Sequence, residues 1–180
     1  PMERRADALL AAAALVTETA AIAGRHPPGV ATVGSLTVRP GSRNSVPGEV
    51  AGTIDLRHPE EGAAVEMKDA FLGAGGGAAE QGGCTFSFTE RWRAPRVAFD
   101  RDLVDLLSDT ARVISMETMP LFSAAGHDAV HIAKIAPTAM LFVPSIGGIS
   151  HHPEEFTPMD SLVSGAKLLG ATIGRLATKA

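Results

Sequence analysis

The sequence predicts an α+β fold in two parts, and three observations predict it. Residues 1–94 run helix, strand, strand, helix, strand by the period of their apolar residues, the order of a small αββαβ sandwich on an antiparallel sheet. "RAPRVAFD" (Arg93 to Asp100) has the look of a linker. Residues 95–180 then place helical patterns around one apolar stretch without alternation. That is part of an α/β layer sandwich, with too few strands to be a whole one.

The first helix rests on Met2, Ala6, Leu9, Ala13, Val16 and Ala20, which recur at steps of four and three and define one face. His26-Pro27-Pro28-Gly29 stops it. Gly29 to Val38 reads as a strand, and Pro40 to Asn44 as a turn or loop. Glu49 to Arg57 alternates, with Val50, Gly52, Ile54 and Leu56 on one face and Glu49, Ala51, Thr53, Asp55 and Arg57 on the other. This is a half-buried strand. Pro59 to Leu72 reads as a second helix and Gly73 to Gly83 as a flexible loop. Cys84 to Glu90 alternates again, with Cys84, Phe86 and Phe88 on the apolar side.

In the second part, Asp100 can cap a helix carrying Leu103, Leu106, Leu107 and Val113. Another helix begins near His127. "TAMLFV" (Thr138 to Val143) reads as a strand covered on both faces. Thr157-Pro158-Met159-Asp160 reads as a helix start, with Leu162, Ala166, Leu169, Ile173 and Leu176 forming its apolar face.

Composition narrows the function. The 180 residues carry 16 Lys and Arg against 20 Asp and Glu, with no basic stripe of the kind a nucleic-acid surface needs. No apolar run reads as a membrane span, and the alanine-rich start lacks a signal-peptide layout. Cys84 is the only cysteine, so no internal disulfide can form, and a reducing, cytoplasmic setting is expected. The chain opens at Pro1 without an initiator methionine, which suggests the later part of a longer polypeptide.

Four groups of residues could carry chemistry. "GAGGGA" (Gly73 to Ala78) matches a loose dinucleotide fingerprint, but it follows a helix and precedes a strand, the reverse of a phosphate-cradling turn. "HDAVH" (His127 to His131) spaces two imidazoles by four residues, yet Asp128 is a short-armed substitute for the glutamate of a zinc peptidase helix. Ser123, His127 and Asp128 could be drawn as a triad, but adjacent His and Asp rarely face each other as a triad requires. "GGISHHPEEF" (Gly147 to Phe156) follows the buried strand directly, at the strand edge where α/β proteins bind ligands. If it is extended, only one of His151 and His152 faces a given site, and Glu154 or Glu155 could hold an imidazole N–H. Apart from these, Arg57 offers a planar fork that fits a carboxylate, and Asn44 an amide that can donate to a carbonyl.

Four stretches together resemble one family. "PGSRNSVPGEV" (from Pro40), "TIDLRHP" (from Thr53), "AAGHDAVH" (from Ala124) and "AMLFVPSIGGISHHPEEF" (from Ala139) are similar to the hydantoinase/carbamoylase branch of the M20 metallopeptidase-like amidohydrolases. "PMERRADALLAAAALV" resembles the helix that opens that family's lid. The resemblance implies a ferredoxin-like lid and dimerisation domain over residues 1–94, then the C-terminal part of a three-layer metallohydrolase domain over 95–180. It implies hydrolysis of N-carbamoyl or ureido groups on amino acids, β-alanine or allantoate, releasing ammonia and carbon dioxide. Two divalent ions (Zn, Mn, Co or Ni) would act in the complete enzyme, with His151 as the last metal ligand. Asn44, Arg57 and His127 would hold the small-molecule substrate, Arg57 by its carboxylate, and Asp128 would orient His127. The partner would be a second copy, joined through the lid; neither nucleic acid nor membrane is implied. The family's other metal ligands and its catalytic glutamate match nothing here, so the chain alone is expected to be inactive and to expose an apolar edge. An M20 aminoacylase or peptidase, or a non-catalytic dimerisation module, are the alternatives.

Overall fold

The computed structural model describes residues 1–178, which divide into two compact units, residues 1–96 and the described residues from 97 on. The first unit is built on an antiparallel hairpin. Strand β1 (Val30–Arg39) pairs with β2 (Glu49–Arg57) from Val30 opposite Arg57 to Arg39 opposite Glu49, with a register shift between Val33 and Ser35. Two helices pack with it, α1 (Ala8–Arg25) and α2 (Glu61–Gln81). Ile22, Met67 and Phe71 form the core, and Ile54 and Leu56 of β2 turn in against it.

Helix α1 starts where Asp7 accepts hydrogen bonds from the Leu9 and Leu10 amides at 3.1 and 3.2 Å. These satisfy two of the donors that a helix start leaves open. The Ala8 amide donates to Pro47 O at 3.1 Å, and the Asp7 amide to Gly82 O at 3.2 Å. The start of α1 is thereby tied both to the β1–β2 connection and to the end of α2. The face expected from the alanine pattern is not the buried one. Leu9, Ala13 and Ala20 are exposed, whereas Thr19 and Ile22 are buried. A helix that is apolar nearly all round gives its alanines no vote on direction. By length and composition α1 is also apolar enough to cross a membrane, which the sequence reading did not allow; here it packs along α2 and β1.

Helix α2 overturns the expected loop at Gly73–Gly83. It continues through all four glycines to Gln81, burying Met67, Phe71, Gly75 and Ala79 at helical spacing. Glycine weakens a helix interior, so tertiary packing must hold this one. At Gly75 the reason is visible: an added Cβ would lie 2.5 Å from Phe86 Cζ. The Phe86 and Phe88 rings both meet Phe71 edge-on, with centroids 6.1 and 6.0 Å apart. Their alternation is therefore real, but residues 84–90 form no ladder among the described residues. Side-chain alternation records which face is apolar, not whether the backbone finds a strand to pair with. The described sheet has two strands, and the chain is α+β with a small antiparallel sheet.

The second unit packs α3 (Arg101–Val113) on α5 (Met159–Ala177). Asp100 caps α3 as expected, accepting from the Leu103 amide at 2.9 Å. Helix α5 starts where expected, with Pro158 at its N-cap and no side-chain cap bond. The predicted apolar face of α5 is exposed at Leu162, Leu169, Ile173 and Leu176, while Leu168 and Thr172 are buried. Val143 lies so close to α5 that a Cβ on Gly165 would meet its Cγ1. Residues 138–143 nevertheless form no ladder, since no described strand lies in this unit to accept their hydrogen bonds. The helix expected near His127 is the short α4 (Ala129–Ile132), so His127 precedes it and the two-imidazole helical face does not form.

Gly75 and Gly76 differ in what surrounds them, since nothing lies within 4 Å of a Cβ on Gly76. Gly76→Ala should raise stability by about 0.5–1 kcal/mol through helix propensity. Gly75→Ala should lower it by roughly 1–3 kcal/mol by overpacking against Phe86. Urea denaturation of the two variants checks this opposition of sign.

Candidate functional site

The inward turn of Ile54 and Leu56 sends Asp55 and Arg57 to the other face of β2. There Arg57 Nε and one terminal nitrogen donate to the two oxygens of Asp55, each at 2.8 Å. This is a two-point guanidinium–carboxylate pair. It holds the Asp55 carboxyl below its ordinary value, chiefly through the hydrogen bond from Arg57. The Asp55 carboxylate was a legible partner, two residues away on one strand face, and sequence reasoning missed it.

Asn44 lies in a turn between the strands, exposed, with its Oδ1 accepting from Ser42 Oγ at 3.0 Å. Among the described residues its amide nitrogen has no partner, so it is available as a donor. The ladder separates these two candidates. Arg57 pairs with Val30 at one end of the hairpin, while Asn44 belongs to the connection beyond Arg39 and Glu49 at the other. At 3.2–3.4 Å per residue the strand between them spans about 25 Å. Within one chain they do not converge.

In the second unit, His127 Nε2 lies 2.7 Å from Ser123 Oγ, and its ring meets Phe142 edge-on with centroids 5.4 Å apart. Asp128 does not orient it: the Asp128 side chain is exposed and makes no bond to the imidazole. Adjacent side chains diverge here, as the objection to a triad held, but that objection also discarded Ser123, which does reach the ring.

The 145–156 loop is closed by Ile146 N–H donating to Phe156 O at 2.8 Å and by Ser145 Oγ donating to Ile149 O at 2.7 Å. Gly147 and Gly148 take φ of 66° and 68°, the left-handed region that glycine permits. His151 takes it too, at φ 56°, where a residue with a Cβ is uncommon. Its amide donates to Glu155 Oε2 at 2.9 Å, so Glu155 secures the backbone and not an imidazole. The neighbouring imidazoles separate: His152 Nδ1 accepts from the Glu154 amide at 3.2 Å, whereas the His151 ring has no partner among the described residues. Of the two rings, only that of His151 has both nitrogens without a partner among the described residues.

A metal centre does not fit this chain by itself. Among the described residues no three His, Cys, Asp or Glu side chains gather closely enough to hold an ion. His151 supplies a single imidazole.

The chain thus presents an arginine paired with a carboxylate and a loop histidine whose ring has no partner among the described residues. Comparison with known proteins gives the class. The profile of peptidase family M20/M25/M40 matches residues 4–175. The N-carbamoyl-L-amino-acid amidohydrolase of Paenarthrobacter aurescens is 38% identical over 170 residues, covering 94% of this chain and 41% of that protein. The allantoate amidohydrolase of Bacillus subtilis is 33% identical over 146 residues, covering 81% of this chain and 35% of that protein. Among solved structures, an amidase of the hydantoinase/carbamoylase family from Burkholderia multivorans superposes with a TM-score of 0.87 at 37% identity, covering 97% of this chain and 43% of that one.

The chain belongs to peptidase family M20/M25/M40, in its hydantoinase/carbamoylase branch. It spans about two fifths of the length of the amidohydrolase from P. aurescens.

The Asp55–Arg57 pair makes a pH prediction. A carboxyl whose folded pKa is depressed contributes stability that is present above its unfolded pKa and lost as pH falls through the folded value. Asp55 should therefore titrate below the ordinary aspartate value, roughly 3.9. Arg57→Gln should return it to that range and remove its share of the acid-side stability change. Carboxyl-carbon NMR titration of both proteins reads the shift.

Proposed function

We propose that this chain is the C-terminal portion of a metal-dependent amidohydrolase that cleaves N-carbamoyl or ureido groups from amino acids or allantoate-like compounds. On this reading the first unit is the ferredoxin-like lid, which also dimerises, and the second closes a three-layer catalytic domain. Residues 84–90 would gain strand pairing, and the exposed apolar side of α5 a cover, from neighbours outside this chain. The two divalent ions would draw their other donors from elsewhere in the complete protein, with His151 contributing one imidazole. A cytoplasmic location belongs to the same reading.

The observation that carries the substrate class is Arg57. Its guanidinium already grips a carboxylate in two-point geometry at 2.8 Å, and N-carbamoyl amino acids present a carboxylate beside the ureido group. Such a substrate would compete with Asp55 for the fork. Asn44, with its amide nitrogen outward, suits the ureido carbonyl. A substrate of this size cannot span the roughly 25 Å of strand between them. The proposed site therefore takes Arg57 from one protomer and Asn44 from its partner, which makes the dimer a requirement of catalysis. The positive φ at His151 is consistent with a backbone held for a ligand, because such conformations concentrate at functional sites.

The full-length polypeptide carrying this segment should release ammonia from N-carbamoyl amino acids or allantoate, and the 180-residue chain alone should not. Arg57→Gln should raise KM by roughly 10- to 100-fold, the loss of a charge-assisted pair of about 1.5–3 kcal/mol. A colorimetric ammonia assay across a substrate panel decides the matter. Cleavage of N-acetyl amino acids or dipeptides without ammonia release from any ureido compound would overturn the proposal.

A further inference from the structure

The Ser123–His127 contact carries an assignment that the family relationship does not. Ser123 Oγ receives the Ala125 amide at 3.3 Å and lies 2.7 Å from His127 Nε2. A hydroxyl has one proton to give and two lone pairs. The Ala125 N–H takes one lone pair. The second lone pair could accept from an Nε2–H, but the hydroxyl proton then has no acceptor among the described residues; donation to His127 Nε2 gives that proton its partner. A nitrogen that accepts is unprotonated, so in the neutral ring the proton resides on Nδ1.

The ring plane is fixed as well. Phe142 contacts it edge-on, and the His127 backbone is anchored by the Val130 amide donating to its carbonyl at 3.0 Å. Nδ1 has no partner among the described residues. With the hydroxyl donating at Nε2, the arrangement leaves one N–H donor, at Nδ1, the reverse of a hydrolytic triad, whose carboxylate accepts from Nδ1–H and leaves Nε2 as the base. The donor would serve a substrate oxygen.

We infer that Ser123 is a positioning residue that holds His127 as its Nδ1–H tautomer, so that Nδ1–H donates a hydrogen bond to an oxygen of the substrate's ureido or carboxylate group. The tautomer stands on the hydrogen-bond pattern; its use on substrate rests on the amidohydrolase reading above. The role is distinct from that of Asp128, which leaves the ring untouched, and it requires no proton transfer through Ser123.

The test uses the 180-residue chain with its six histidines labelled with nitrogen-15, the His127 signals being assigned by their loss in His127→Gln. Two-bond correlations from the ring carbons' protons, recorded where the ring is neutral, should show a pyridine-like Nε2 and a protonated Nδ1. Ser123→Ala should move the ring towards the Nε2–H form that free imidazoles prefer, and Ser123→Thr should restore the original pattern. A protonated Nε2 in the unsubstituted protein overturns the assignment, whether or not either variant folds. In the full-length polypeptide, Ser123→Ala should reduce kcat/KM roughly tenfold, the loss of one well-placed hydrogen bond, with Ser123→Thr near the parent. An unchanged kcat/KM in Ser123→Ala would overturn the substrate role. If the parent releases no ammonia from any ureido compound, the amidohydrolase reading fails and the tautomer, read by NMR, does not.

Discussion

The antiparallel ladder of β1 and β2 governs how the first unit can act. Its register, Val30 opposite Arg57 through Arg39 opposite Glu49, places the connecting turn at one end and the terminal arginine at the other. Helix α1 has the same span: 18 residues at 1.5 Å each is about 27 Å. Its start is pinned to Pro47 near the turn. Its far end leads through His26 and Gly29 into β1 beside Arg57. Two lengths set by backbone geometry thus agree, and neither can shorten without breaking the core. The separation of Asn44 from Arg57 is a property of the fold, not of a side-chain rotamer. It leaves a small substrate two choices: to use one of these residues, or to use both from different protomers.

Packing beneath the ladder explains why its outer face is polar where it matters. Ile54 and Leu56 meet the Ile22–Met67–Phe71 core, and strand alternation then commits Asp55 and Arg57 to the opposite side. The core depends in turn on α2 passing close to Phe86, which only a glycine at position 75 allows. On the outer face Asp55 engages Nε and one terminal nitrogen of the planar guanidinium, each at 2.8 Å.

Much of this was legible in the sequence. The strict alternation of Glu49–Arg57 located β2 and its polar face, and Asp100 marked the start of α3. The extended course on which the His151–His152 alternation rested is not found: His151 takes φ 56° in a bent loop, so strand parity does not explain their separation. The misread faces of α1 and α5 share a cause. Their buried sides include Thr19 and Thr172, each returning its hydroxyl proton to the carbonyl four residues earlier, at 2.8 Å. A threonine satisfied in this way buries as an apolar residue does, but a search for apolar periodicity passes over it and shifts the predicted face. The glycines of α2 misled for the converse reason: their helix is held by Phe86 packing on Gly75, a contact between positions that local propensity does not join. The separation of Asn44 from Arg57 follows from the length of β2, which the alternation of Glu49–Arg57 had already located.

The most direct test of the proposed shared site mixes two defective proteins. Full-length Asn44→Ala and Arg57→Ala polypeptides should each release little ammonia from an N-carbamoyl amino acid. Unfolded together and refolded as mixed dimers, they should regain activity, because one of the two sites in a mixed dimer then combines an intact Asn44 with an intact Arg57. If each site drew both residues from one chain, every site in the mixed dimer would carry a defect. An ammonia assay that finds the refolded mixture no more active than its parents, with mixed dimers shown to be present, would contradict the account.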